Sequence, residues 1–279
     1  MKPGDPLAGK IERLDYRLIE LGSVLVAFSG GADSALLLAA AVKTLGPDQV
    51  VAATAVSPSL PGAELVAAQQ FCADLGVAHL TPRTNELDRE GYRANAGDRC
   101  AFCKTELVET LLGIAVQHGL AAVATGTNAD DAVAGFRPGI AAAARLGAVT
   151  PLLDAGLTKD EVRRISRAWG LLTWDKPAAA CLASRIAYGI EVSRERLERV
   201  ERAEAALRNS LISNGFAFDN LRVRDLGDRA RVEIDRAAVP ALNARPDILG
   251  VVDGWPAVEV DPRGFRSGSM NERLVPAAT

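Results

Sequence analysis

The sequence predicts an α/β protein: a parallel sheet flanked by helices, followed by a smaller α+β domain. Three observations predict it. Short apolar runs alternate with helical patterns from Val24 to Thr125. The first run ends in a glycine-rich turn that opens a helix. Past a charged helical stretch at 193–212 the pattern changes to short, closely spaced strands.

Residues 11–21 read as an amphipathic lead-in helix. Val24–Phe28 is a buried strand, Ala35–Leu45 a helix and Val50–Val56 a second strand. Glu64–Leu75 is a helix, Ala78–Thr81 a short strand, Leu107–His118 a helix and Ala121–Thr125 a strand. Such alternation implies a parallel sheet with helices on both faces. Ligands of such sheets bind at the carboxyl ends of the strands. A charged helix is expected over Lys159–Trp169, an irregular stretch over 171–192 and a strongly charged helix over 193–212. Leu221–Arg224, Ala230–Ile234 and Val251–Val260 read as strands. These readings give two domains, 1–190 and 191–279, and residues 274–279 read as a frayed tail.

The 279 residues are 48% hydrophobic and 24% charged, ordinary for a globular protein. Aromatics are only 5%, so packing leans on Ala, Leu and Val. The net charge of -3 argues against a general nucleic-acid binder. No apolar stretch has the length of a membrane span, and the N-terminus does not read as a signal peptide. A cytosolic protein is expected, whose four cysteines serve as thiols or metal ligands and not as structural disulfides.

The turn after the first strand is Ser29-Gly30-Gly31-Ala32-Asp33-Ser34. A strand, a glycine turn and a helix N-terminus present backbone N–H groups to an anion. Gly30 and Gly31 let the backbone approach a phosphate, and Ser29 and Ser34 add hydroxyls. A carboxylate at Asp33 would repel phosphate, unless it helps to hold a cation such as magnesium. A Walker-type lysine loop is absent from the sequence. The six residues resemble the PP-loop of the ATP pyrophosphatase superfamily, of adenine nucleotide alpha hydrolase-like fold, whose members cleave ATP between the α- and β-phosphates.

Cys100-Ala101-Phe102-Cys103 is a C-x-x-C, open to redox, zinc or iron–sulfur readings. A four-cysteine zinc site would need a second pair, which the sequence lacks. His79 and His118 have no ligand-like spacing and read as packing or surface residues. Cys72 lies in an apolar helical pattern and reads as a small buried hydrophobe. Cys100, Cys103 and Cys181 remain as candidate ligands, or as three unrelated thiols.

Taken together, several segments resemble one family, the ATP-dependent sulfur transferases of the LarE type. They are SGGADS (29–34), NAGDRCAFCKTEL (95–107), GTNADD (126–131), FRPG (136–139), DKPAAACLASRIAYG (175–189), LRVRDLG (221–227) and GFRSGSMN (264–271). The resemblance implies adenylation of a carboxylate of a pyridinium mononucleotide that bears two ring carboxylates, then attack by sulfide to give a thiocarboxylate. It belongs to the making of a nickel-pincer nucleotide cofactor. Some members give up the sulfur of their own cysteine. Others resemble this chain, with three cysteines holding a 4Fe-4S cluster, so the resemblance implies that Cys100, Cys103 and Cys181 hold one.

The resemblance also implies ATP and Mg2+ at Ser29, Gly30, Gly31, Asp33 and Ser34. Gly126, Asn128, Asp131 and Lys104 would lie near the nucleotide or the reacting carboxylate, though Asp130 and Asp131 could equally cap a helix. Arg185 and Ser184 would flank Cys181. Arg222, Arg224 and Arg266 would bind the substrate phosphate, to which planar guanidinium forks are suited. Glu204 and Glu233 would sit near a metal at a subunit contact. The expected partner is a small nucleotide, with no membrane and no nucleic acid, and a homo-oligomer, a hexamer in this family, is implied. Competing readings are a tRNA thiolase with a cluster, an amide-forming synthetase, and a non-enzymatic ATP-binding protein with structural zinc.

Overall fold

Four strands form the first sheet: β1 (Val24–Ala27), β2 (Val50–Ala53), β3 (Ala78–Leu80) and β4 (Ala122–Thr125). Their order is β3-β2-β1-β4, and every neighbouring pair is parallel. The structure, a computed structural model, describes residues 6–133, 138–177 and 180–273. Two units are present: residues 1–86 with 100–179, and residues 87–99 with 180–279.

Both faces of the first sheet are covered, as the continuous apolar strands require. Val24 and Val26 pack with Leu36, Leu37, Leu152 and Ile165 in one core. Leu25 and Ala27, which point the other way, pack with Leu111, Ala115 and Val123. The central helix Ala32–Leu45 is alanine- and leucine-rich and buried along most of its length. The helix Lys159–Ala168 opens with a reciprocal cap between Thr158 and Glu161, and Lys10 Nζ reaches the same Glu161 carboxylate at 2.6 Å.

The second unit holds β5 (Leu221–Asp225), β6 (Ala230–Ile234) and β7 (Val258–Val260), in that order. β5 and β6 are antiparallel, and β6 and β7 are parallel. The helix Arg194–Ser213 buries Leu197, Val200, Ala203, Leu207 and Leu211 along one stripe. Ser193 caps it by accepting from Arg196 N–H.

The structure corrects several element boundaries, and the lead-in helix expected over 11–21 runs Pro6–Leu21. β2 ends at Ala53 rather than Val56, leaving one isolated bridge between Val56 and Arg83. Only Val258–Val260 of the expected strand Val251–Val260 is extended in a sheet, because Gly254 turns the chain at φ +89° and Trp255 is drawn to Asp225. The helix expected from Leu107 begins at Arg99, so the C-x-x-C lies within it. No helix among the described residues is long and apolar enough to cross a membrane. Phe136 and Arg137 of the FRPG segment, Ala178 and Ala179 beside Cys181, and the 274–279 tail lie outside the described residues.

Candidate functional site

The turn after β1 leaves the first helix donors without a side-chain cap among the described residues. Gly30 takes φ +71°, a conformation that glycine adopts without steric cost. Among the described residues no side chain caps the N-terminus of Ala32–Leu45, so its first N–H groups keep their capacity for an anion. The two serines brace the turn: their hydroxyls lie 3.1 Å apart, and Ser34 Oγ donates to Gly31 C=O at 3.1 Å. Behind it, Thr54 Oγ1 donates to Phe28 C=O at 2.8 Å, and His79 Nε2 lies 2.8 Å from that hydroxyl. Burial lowers the His79 pKa.

The end of β4 is pressed against this helix start. A Cβ on Gly126 would lie 2.8 Å from Ser34 N and 3.0 Å from Ser34 Cα, so only glycine fits there. Asn128 caps the short helix Ala129–Val133, its Oδ1 accepting from Asp130 N–H at 3.0 Å and Asp131 N–H at 3.2 Å. The cap is thus Asn128, while Asp131 accepts from Asn128 N–H at 3.3 Å and Asp130 from Lys159 N–H at 2.8 Å. Asn128 Nδ2 also donates to Asp33 Oδ1 at 3.1 Å, and Lys159 Nζ is ion-paired with Asp33 Oδ2.

Two lysines therefore stand at the loop that the sequence reading did not single out. Lys159 holds Asp33, and Lys176 Nζ donates to Gly30 C=O at 3.1 Å and to Glu64 at 2.6 Å. Their only sequence signal is membership in segments far from the loop. Both ammonium groups are partly exposed, so the turn joins backbone N–H groups, two cations and two carboxylates, Asp33 and Glu64, of which Asp33 lies on the helix start itself and suits a magnesium–phosphate group. Lys104 lies on the C-x-x-C helix, where burial lowers its pKa and the neighbouring Cys103 opposes that shift.

In Arg99–Gln117, Cys100 and Cys103 are three residues apart and share a helix face; Cys100 is exposed and Cys103 half-buried. Cys181 is half-buried and precedes the turn Leu182–Arg185 in the second unit. Three thiols suit a cluster by chemistry, yet among the described residues no three His, Cys, Asp or Glu side chains are gathered as a metal site. Cys72 is buried, and desolvation pushes its thiol up to about 12.

In the second unit Arg185 organises the Cys181 turn. It is buried, donates to the carbonyls of Ala180 and Cys181, and forms a fork with Glu204 at 2.9 and 3.2 Å. Ser184 Oγ donates to Cys181 C=O at 2.7 Å. Asn95, buried with φ +53°, donates to the carbonyls of Ala187 and Ile190 at 2.8 Å, and Arg99 donates to Ala183 C=O at 2.8 Å. Part of the NAGDRCAFCKTEL segment thus fastens the Leu182–Ile190 stretch.

Arg222 and Arg224 share one face of β5. Arg224 donates twice to Glu233, at 2.6 and 3.0 Å, and once to Ser269 Oγ at 3.1 Å. Arg222 lies over the Phe265 ring at 5.5 Å; burial first, then the neighbouring Arg185, brings its pKa down to about 10, still fully charged at neutral pH. Arg224 and Arg266 line one cleft of about 250 Å³, and Arg222 is not among its lining residues. Glu204 and Glu233 are engaged by Arg185 and Arg224.

A parallel sheet with an uncapped helix after a Ser-Gly-Gly turn defines a PP-loop, adenine nucleotide alpha hydrolase-like protein. Comparison with known proteins agrees. The chain is 33% identical over 274 residues, 97% of each chain, to the pyridinium-3,5-bisthiocarboxylic acid mononucleotide synthase of Lactiplantibacillus plantarum. It is 40% identical over 273 residues to an uncharacterized protein of Synechocystis, covering 96% of this chain and 99% of that one. Argininosuccinate synthase of Halobacterium salinarum is 32% identical over 114 residues, 38% of this chain and 28% of that enzyme. No family model matches the chain. The chain belongs to the LarE-like PP-loop ATP pyrophosphatase family.

Proposed function

We propose that this chain is a cytoplasmic ATP-dependent sulfurtransferase acting on pyridinium-3,5-biscarboxylic acid mononucleotide. The observation that carries the reading is the uncapped helix N-terminus beside Asp33, in a chain matched end to end by a relative named for the thiocarboxylated product.

A carboxylate is a poor target for sulfide, since its leaving group would be oxide. Attack of a substrate carboxylate oxygen on the α-phosphorus of ATP expels pyrophosphate and gives an acyl-adenylate. Sulfide then attacks the acyl carbon, the C–O bond breaks with its electron pair on AMP, and a thiocarboxylate remains. The N–H groups that open Ala32–Leu45 would hold the phosphates, and Asp33 would hold a Mg2+ ion, whose charge offsets theirs when it is bound. Lys159, whose ammonium is ion-paired with Asp33 and partly exposed, would add a positive charge beside the phosphates. Arg224 and Arg266, with Arg222 nearby on β5, receive the substrate phosphate.

Cys100, Cys103 and Cys181 would hold a 4Fe-4S cluster; when bound, such a group offers an open iron that can carry sulfide. Iron and acid-labile sulfide in anaerobically purified protein test this, with loss of both in the Cys181→Ser variant and retention in Cys72→Ser. An iron-free chain whose Cys181 loses the mass of hydrogen sulfide in one turnover would show the cysteine itself to be the donor. For the reaction, ATP and the mononucleotide should yield AMP and pyrophosphate; ADP as the main nucleotide product would overturn the assignment.

A further inference from the structure

The cleft in the second unit contains an anion supplied by the chain itself. Arg224, Arg231, Arg263 and Arg266 line it together with Glu233, Asp261 and Glu272. Two of the guanidiniums have carboxylate partners of their own other than Glu272. Arg224 is locked to buried Glu233, and Arg231 Nε donates to Glu259 at 2.6 Å. Arg263 and Arg266 instead share Glu272. Arg266 grips it as a fork, Nε to Oε1 at 3.0 Å and Nη2 to Oε2 at 3.3 Å, and Arg263 Nη1 lies 3.2 Å from Oε2. Each is also 3.6 Å from Asp261 Oδ1.

Glu272 belongs to the short turn Ser269–Arg273 near the C-terminus, and its side chain is 47% exposed. Its two oxygens meet Arg266 in the geometry with which a phosphate would meet the same fork. We propose that Glu272 is an internal competitor for this anion cleft, displaced by a phosphomonoester that Arg263 and Arg266 then hold together. The proposal rests on the reading of Arg266 as a phosphate-binding residue, and adds Arg263 and Glu272 to it.

The exchange favours one class of ligand. A phosphomonoester carries about −1.5 to −2 charge at neutral pH and three acceptor oxygens. It therefore gives the two arginines more than the single charge of Glu272, which moves into solvent at small cost because it is already exposed. A ligand carboxylate offers only a one-for-one exchange and gains nothing. A substrate with one phosphate and ring carboxylates would thus enter this cleft by its phosphate end, and Glu272 would set that orientation.

Calorimetric titration of the full chain with ribose 5-phosphate and, separately, with pyridine-3-carboxylate tests this. The parent should bind the phosphomonoester and discriminate against the carboxylate. Glu272→Gln should tighten ribose 5-phosphate by about two- to fivefold, the worth of an exposed ion pair, and narrow the discrimination. Arg263→Ala should weaken it by about tenfold. In an Arg266→Ala background the Glu272→Gln gain should vanish. If Arg266→Ala weakens binding but Glu272→Gln does not strengthen it, the competitor fails while the phosphate site stands. If neither Arg263→Ala nor Arg266→Ala changes binding, the phosphate-site reading fails with it. Thermal unfolding of each variant shows whether a loss reflects folding.

Discussion

Beside the glycine loop of the first unit the cations are lysines, each tied to a partly exposed carboxylate; in the second unit they are arginines, two of them locked in buried forks. The Lys159 and Asp33 side chains are 37% and 23% exposed, while those of Arg224 and Glu233 are 6% and 2% exposed. A lysine is a flexible point charge that can leave one partner for another, whereas an arginine fork is planar and fixed in direction. The nucleotide loop also takes much of its anion-holding capacity from backbone N–H groups, which cost no side-chain ordering. Under the proposed function, the lysines of the first unit would meet a nucleotide whose phosphates change during turnover, and the arginines of the second an intact phosphate held in one orientation.

The largest effect should come from breaking a buried fork. Glu233→Ala leaves Arg224 charged and unpaired, and should cost about 3–5 kcal/mol of stability. The counterpart, Glu64→Ala, frees Lys176 into partial solvent and should cost about 1 kcal/mol or less. Urea unfolding of both variants reads the difference; equal losses would break the comparison.

Asp33→Asn is next. It keeps the acceptor for Lys159 but removes the charge that the proposed magnesium site would need. Use of Mg-ATP should fall by about ten- to a hundredfold, the worth of one charge-assisted contact. Pyrophosphate release at varied Mg-ATP measures it, and an unchanged rate would take the metal role from Asp33.

The sequence displayed the parts of these sites that are local and concealed those that are not. SGGADS is six consecutive residues, and the alternation around it fixes the strand end on which it lies. Lys159 and Lys176 meet that loop from segments more than a hundred residues later, and nothing in a single sequence pairs a distant lysine with a particular carboxylate. Asn95 and Arg99 looked like flanks of the C-x-x-C, yet their side chains fasten the Leu182–Ile190 stretch in the second unit. The Arg99 helix start is marked only by Asp98, an N-cap residue type, while the sustained apolar period begins at Leu107. Val251–Val260 read as strand from its valines, although Asp253-Gly254 followed by Pro256 is a turn signal, and the chain does turn at Gly254.

The thiols sharpen the comparison further. After removal of any bound metal, Cys100 should be alkylated by iodoacetamide far faster than Cys72, by about two orders of magnitude or more, because Cys72 is buried and its thiol is pushed up to about 12. The same shift has a stability consequence: above the ordinary thiol range the unfolded chain ionises Cys72 and the folded one does not, so its contribution is lost as pH rises toward 12. Peptide mapping by mass spectrometry follows each cysteine, and early labelling of Cys72 would show that its helix face opens.

The smallest expected effect lies behind the nucleotide loop, at His79. Burial lowers its pKa below the ordinary histidine value of 6.5, and its ring lies 2.8 Å from the Thr54 hydroxyl, which in turn donates to Phe28 C=O at the end of β1. Above 6.5 both folded and unfolded chains carry a neutral ring. As pH falls below it the unfolded chain takes up the proton first, so the folded state loses relative stability until the lowered folded value is passed. The slope from one such group is at most about 1.4 kcal/mol per pH unit. The carboxyls held low, Asp225 by Trp255 and its arginine partners and Glu161 by Lys10, lose their contribution only in the more acidic carboxylate range, so the two windows separate. In His79→Gln the first slope should disappear while the second remains. Stability measured by urea unfolding between pH 7 and the onset of carboxylate protonation decides it: the same slope in parent and variant would mean that the ring is not the titrating group, and that the brace behind the loop is indifferent to pH.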